Sequence, residues 1–158
     1  MNRTEFGFER TNCSCKVCVT NCLVMPGFLI PADLERLIPP KEEAVTWAEE
    51  NLLASPGALA MKNGMMFRIP TLVPATKANG ECIHLTANRC DIHELAPFGC
   101  SFFDCGPDRG NLSMLGLMAV HDAFRDHTSL YHKLWVHLFR LGRTQKSPEE
   151  LRRKMRGI

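Results

Sequence analysis

No stretch of the 158 residues runs to 18 consecutive apolar side chains, which excludes a helix of bilayer-spanning length. The N-terminus, Met1-Asn2-Arg3-Thr4-Glu5-Phe6-Gly7-Phe8-Glu9-Arg10, has no apolar segment behind a basic start, so no secretory signal is read and a cytoplasmic protein is expected. Glycine (11) and proline (10) are near average, which rules out collagen-like and low-complexity chains. Charge of one sign is scarce too: a formal +2 does not by itself imply nucleic acid. There is no glycine-rich phosphate loop, Ser/His/Asp order, nucleophile elbow or H-E-x-x-H pair. Neither a linker nor an internal repeat divides the chain, so residues 1–158 are read as one domain.

What is present in excess is cysteine. The eight thiols fall into two groups, Cys13, Cys15, Cys18 and Cys22, then Cys82, Cys90, Cys100 and Cys105. Without an oxidising compartment, disulfides are disfavoured and metal ligation is favoured. Cysteines scattered through a core would not respect such a partition, whereas two sets of four match the demand of Zn(Cys)₄ sites or cubane iron–sulfur clusters. All eight are therefore candidate metal ligands.

Between and beyond the cysteine groups (13–22 and 82–105) the patterning is mostly helical. Pro31-Ala32-Asp33-Leu34 starts a helix that Pro39-Pro40 stops. Residues 41–53 predict a second, with Ala44, Trp47, Ala48 and Leu52 on one stripe and Ser55-Pro56-Gly57 ending it. Asn63-Gly64 between apolar runs predicts a hairpin with a type I′ turn. Residues 82–105 read as short strands and turns, and 111–158 as a helical C-terminal part in which Ser147 and Pro148 open a last helix. The expected fold is mainly α with a small β-hairpin element, a single cysteine-rich metal-binding domain.

The second cysteine group reads Cys82-Ile83-His84-Leu85, a turn, Arg89-Cys90-Asp91-Ile92-His93-Glu94, then Pro97-Phe98-Gly99-Cys100-Ser101-Phe102. This resembles the YkgJ-type cysteine-cluster family of zinc- or iron-chelating domains, whose pattern is C-x-x-L, a turn, R-C-x-I-Y-E-x-R-P-x-x-C-x-x-F. His93 stands where that pattern has Tyr and Ala96 where it has Arg, and the first group here is spaced C-x-C-x₂-C-x₃-C. The resemblance implies metal or cluster binding. A similar cluster in flagellin lysine methylases implies an accessory role beside a modifying enzyme.

Spacing leaves the metal open. Small zinc sites use two C-x-x-C bites and only Cys15–Cys18 is one, while the long spacings from Cys82 to Cys105 suit a cubane; iron–sulfur is favoured, zinc the alternative. Each four-thiolate centre carries about −2, so two would take the chain from +2 to about −2. His84 and His93 lie within the second group and are read either as ligands or as turn histidines; His121, His127, His132 and His137 are read as helix-surface residues. Met61, Met65 and Met66 are read as core or partner-surface residues rather than a soft-metal site. Arg140, Arg143, Lys146, Arg152, Arg153, Lys154 and Arg156 make a basic C-terminal helix suited to a protein partner; no membrane is implied, and nucleic acid is disfavoured because no aromatics interleave. The expectation is a metal-binding protein that is non-catalytic: electron transfer, metal delivery or partner scaffolding. The alternative is an accessory or catalytic component of a modifying enzyme with an open-site cluster, and the two differ on whether the chain is an enzyme.

Overall fold

A computed structural model of the chain describes residues 16–102, 109–125 and 128–147, with the single positions Glu150, Arg153 and Arg156. Helix α1 spans Lys16–Val24, α2 Pro31–Leu37 and α3 Ala44–Asn51. Two long strands follow, β1 Leu52–Lys62 and β2 Met65–Pro74, then two short ones, β3 Leu85–Thr86 and β4 Arg89–Cys90. A 3₁₀ turn at His93–Leu95 leads into α4, Phe98–Ser101; α5 spans Arg109–Ala123 and α6 Thr128–Arg140.

The hairpin is the centre of the molecule. Its register runs from Leu52 opposite Pro74 to Lys62 opposite Met65, closed by Asn63 (φ 51°) and Gly64 (φ 75°), the two positive φ values that a type I′ turn requires. The register slips between Ser55 and Ala58. There Gly57 takes φ 130°, and a Cβ on it would stand 2.4 Å from the Ile69 carbonyl oxygen, so Ser55-Pro56-Gly57 makes a bulge inside a strand. Helices α5 and α6 pack on β1, and α2 and α3 pack on α6.

The expected architecture is corrected on this point. Residues 41–53 do contain a helix, but it starts at Ala44, where the Glu43 carboxylate accepts the Thr46 N–H (2.9 Å), and it gives way to strand at Leu52. Leu52 and Leu53, expected to close that helix, begin the strand instead, and Ser55-Pro56-Gly57, expected to end it, lies within β1; pairing with the β-branched and aromatic half of the hairpin overrides the local propensity. Strands of 11 and 10 residues are not a small element, and the fold is a helical layer on a long antiparallel hairpin, α+β rather than mainly α.

One core joins Leu29, Leu34, Trp47, Leu52, Leu72, Leu134 and Leu138; a second joins Ile30, Ala60, Phe98, Phe102, Ala119 and Val120. On α6 the buried residues Tyr131, Leu134 and Leu138 recur at helical spacing while Leu130, His132 and Lys133 face water. Tyr131 does more than pack. Leu29 donates its N–H to the Leu72 carbonyl (2.8 Å), which docks the segment before α2 along β2. The next rung is completed by the phenol, which donates to the Leu29 carbonyl (2.6 Å) and accepts the Leu72 N–H (2.6 Å).

Replacing that hydroxyl strands two buried backbone groups, so Tyr131→Phe should lower stability by about 2–4 kcal/mol in chemical denaturation. Burial also holds the phenol protonated well above 10.0. A raised pKa means the contribution is complete below the ordinary tyrosine range and lost above it. The wild-type chain should therefore lose stability as pH climbs past about 10, with a steeper slope than the Phe variant. The Thr71 hydroxyl, by contrast, is buried with no hydrogen-bond partner. Thr71→Val should leave stability within about 0.5 kcal/mol or raise it.

Candidate metal centre

Four of the candidate ligands, Cys22, Cys82, Cys90 and Cys100, are described in full, and no disulfide links them. They arrive from four separate segments. Cys22 sits in the last turns of α1, and its carbonyl accepts the Cys82 N–H at 2.7 Å, so the two cysteine groups are joined directly through the main chain. Cys82 is 4 % exposed and packs with Val19 and Leu85, with Cys22 and Leu23 against them. It turns into the short hairpin through Leu85 N–H to Cys82 O (3.1 Å). In that hairpin Cys90 faces Leu85, and the tight reversal is made by Ala87 and Asn88 at φ 47° and 61°.

Cys100 is placed by two glycines and a carboxylate. Gly99 donates to the Phe28 carbonyl (2.8 Å), and the Gly27 N–H hydrogen-bonds to the Cys100 sulfur. A Cβ on Gly27 would lie 2.3 Å from the Cys100 nitrogen and 2.7 Å from its Sγ, and one on Gly99 would lie 2.5 Å from the Phe28 nitrogen. The two backbones cross where neither carries a side chain. Asp33, 1 % exposed, fixes the approach: its Oδ2 accepts from Ile30 N (2.9 Å) and from Phe98 N (2.8 Å), and its Oδ1 accepts from Arg36. Phe98 stacks obliquely between Phe28 and Phe102, at 5.6 and 4.6 Å.

Gly27, Gly99 and Asp33 carry no metal-ligand signature, and sequence reasoning missed them. The visible signals were Pro26-Gly27-Phe28 and Phe98-Gly99-Cys100, glycines beside aromatics outside any turn pattern.

Electrostatics ties the four sulfurs together. Burial pushes the thiol pKa values of Cys22, Cys82 and Cys100 up, that of Cys82 to about 12. After burial, the charge of Cys90 raises Cys22; the charges of Cys22, Cys90 and Asp91 raise Cys82; those of Cys22, Cys82 and Cys90 raise Cys100. The His84 N–H and Gly27 N–H oppose the rise at Cys82 and Cys100. The sulfurs are thus near enough to repel one another as thiolates, and a bound cation would reverse that sign.

They are not drawn into a closed site. Among the described residues, no three His, Cys, Asp or Glu side chains are placed to hold a metal ion. The fold class therefore needs a second correction: the molecule is organised by the apolar interface of hairpin and helices, with the thiols in a satellite cluster at its side, not by a metal-knitted core. Cys18 lies one turn before Cys22 on the α1 backbone, but its side chain, like Cys13, Cys15 and Cys105 altogether, falls outside the described residues.

The histidines divide. His84 Nδ1 is 3.2 Å from Asp91 Oδ1, and burial lowers its pKa against the opposing pull of Asp91. His93 begins the 3₁₀ turn. His121 lies between Lys62 (3.1 Å) and Asp122 (3.1 Å), and His137 meets Glu49 at 2.6 Å, both on helix surfaces; His132 is exposed and His127 is outside the described residues. Ser147 and Glu150 cap the last helix reciprocally, Oγ accepting the Glu150 N–H (3.2 Å) and Oε2 the Ser147 N–H (2.7 Å). No helix among the described residues is long and apolar enough to cross a membrane.

Gly27→Ala should collide with the Cys100 backbone and lower stability by about 2 kcal/mol, while raising the reactivity of the Cys100 thiol towards an aqueous disulfide reagent. Unchanged denaturation and thiol reactivity in that variant would show the crossing to be looser than described. No family model, curated protein or solved structure matches the chain.

Proposed function

We propose that the chain is a non-catalytic metalloprotein in which Cys22, Cys82, Cys90 and Cys100 hold an iron–sulfur cluster, with electron transfer, metal delivery or partner scaffolding as its role. The observation that carries the reading is the gathering of thiols from both cysteine groups, sixty residues apart in the chain at the nearest, into one electrostatic neighbourhood. The donors fit such a centre: soft sulfur ligands, apolar surroundings from Val19, Leu85 and Leu23, and backbone N–H groups aimed at Cys82 and Cys100 sulfur.

Their spacing supports a cluster over a single zinc. A Zn–S bond of about 2.3 Å places tetrahedral sulfurs about 3.8 Å apart. The long chain spacings among Cys82, Cys90, Cys100 and Cys105 suit a cubane, whose corners lie farther apart than the ligands of one ion. Cys13, Cys15, Cys18 and Cys105 remain candidate ligands of the same or a second centre, and the resemblance to YkgJ-type cluster proteins supports the same reading. When bound, the cluster supplies one-electron redox chemistry; the chain's residues supply the sulfurs, the dry wall and the N–H groups that tune it.

Anaerobically purified protein should contain iron and acid-labile sulfide, with a broad visible absorption that bleaches on reduction. Cys82→Ser and Cys90→Ser should each lower the iron content severalfold, the second on a surface hairpin whose loss leaves both cores intact. Zinc without sulfide would replace the cluster by the alternative occupant, and protein free of both metals would overturn the proposal.

A further inference from the structure

Beside Leu53 and Pro74, near the open end of the hairpin, a cleft of ≈ 420 Å³ lies between two main-chain walls. One wall is the segment 142–146 that follows α6. It is strapped to β1 by Ala54 N–H to Arg143 O (2.9 Å) and Gln145 N–H to Ala54 O (2.8 Å). The other is the turn 76–80, closed by Lys77 N–H to Glu81 O (2.7 Å) and Gly80 N–H to Lys77 O (2.8 Å). Both walls are held by backbone bonds, so the cleft is built before any ligand arrives.

Its charge is one-sided. Lys77, Arg143 and Lys146 line it, and among the described residues no carboxylate does. Lys77 gives one of its N–H groups to the Leu85 carbonyl, and Lys146 has the exposed Glu150 within electrostatic range, outside the lining. Arg143 is the telling residue: its Nε is buried and has no hydrogen-bond partner. The residue as a whole is partly exposed on the cleft wall, where an oxyanion offers its guanidinium a charge-assisted partner. Val24, Pro26, Leu53 and Pro74 supply an apolar flank for an organic group.

We infer that this cleft binds a small phosphomonoester, its phosphate held by Arg143 with Lys77 and Lys146 and its organic part against the apolar flank. Three cations match a dianion better than the single charge of a carboxylate, and the pairing of a guanidinium fork with ammonium point charges is the donor set that phosphate takes. The volume suits a metabolite and not a polymer. The inference does not depend on the metal reading, since none of the described cysteines lines the cleft.

The test is a titration of the full chain, followed by amide chemical shifts and calorimetry, with inorganic phosphate, adenosine monophosphate, adenosine and a single-stranded oligonucleotide. Phosphate and the monophosphate should shift amides within 76–80 and 142–146, the monophosphate binding more tightly, and added salt should weaken both. Adenosine should shift neither segment. Arg143→Met should weaken monophosphate binding at least tenfold; Lys146→Met, at an exposed position that leaves folding alone, should weaken it severalfold. Shifts absent at millimolar phosphate and monophosphate, affinity unchanged in a folded Lys146→Met chain, equal binding of adenosine, or tighter binding of the oligonucleotide would each overturn the inference. Chain carrying Cys82→Ser should bind the monophosphate as the wild type does, which separates a failure here from a failure of the metal reading.

Discussion

A carboxylate taken wholly out of water is costly unless its lone pairs are filled, and Asp33 fills them with groups from three places in the chain. One is its own helix start, through the Ile30 N–H; one is Arg36, a turn later; the third is Phe98, on the far side of the hairpin in sequence. An apolar contact at this point would hold the segments together without fixing their rotation. Two N–H groups aimed at one oxygen fix it. With the Phe98 amide set, Gly99 meets Phe28 and the Cys100 sulfur meets the Gly27 N–H, so the position of a candidate ligand descends from a charged group that never touches it.

Two opposite descriptions of the thiol cluster follow from the same burial. As neutral thiols, Cys82 and its neighbours are ordinary small core residues, and the pKa of Cys82, pushed up to about 12 mainly by burial, keeps it so near neutrality of pH. As thiolates they repel, because each of Cys22, Cys82 and Cys100 is raised further by the charge of another cysteine. What weighs against the first description is economy of placement. A core that needed only bulk would be filled by valine or leucine, as the rest of this satellite is by Val19 and Leu85, and would not draw one residue type from α1, the 82–90 hairpin and α4.

The elements legible in the sequence were those whose signal is local. Asn63-Gly64 specified its turn, Pro31 its helix start and Ser147 its cap, because a φ sign or an orphan N–H depends on neighbouring residues alone. The length of the hairpin was not legible. Leu52–Ala60 has helix-forming composition and no alternation, and Ser55-Pro56-Gly57, which ends helices elsewhere, here absorbs a register slip that only the partner strand reveals. For the candidate site, the two groups of cysteines and their closing on one another could be read from the sequence, but which individual thiols lie together could not. Cys22 lies with Cys82, Cys90 and Cys100, across the grouping that chain order suggests, because a main-chain bond from Cys82 to Cys22 sets the neighbourhood.

That main-chain bond also places the thiols beside the cleft. Val24 and Pro26, on the cleft's apolar flank, follow Cys22 by two and four residues, and Thr76 on the opposite wall bridges to Cys82. The cleft and the sulfur cluster therefore share two stretches of backbone whose positions are set by hydrogen bonds, so a displacement of either wall reaches a cysteine within a few bonds. Shared backbone alone is not coupling, which requires that an occupant of one site favour a wall position that the other also favours; the main-chain bonds that hold both walls keep the cleft the same whether or not the thiols are occupied. The fold thus brings a cationic recess and a soft-donor cluster close together, through the backbone from Cys22 to Pro26 and from Thr76 to Cys82.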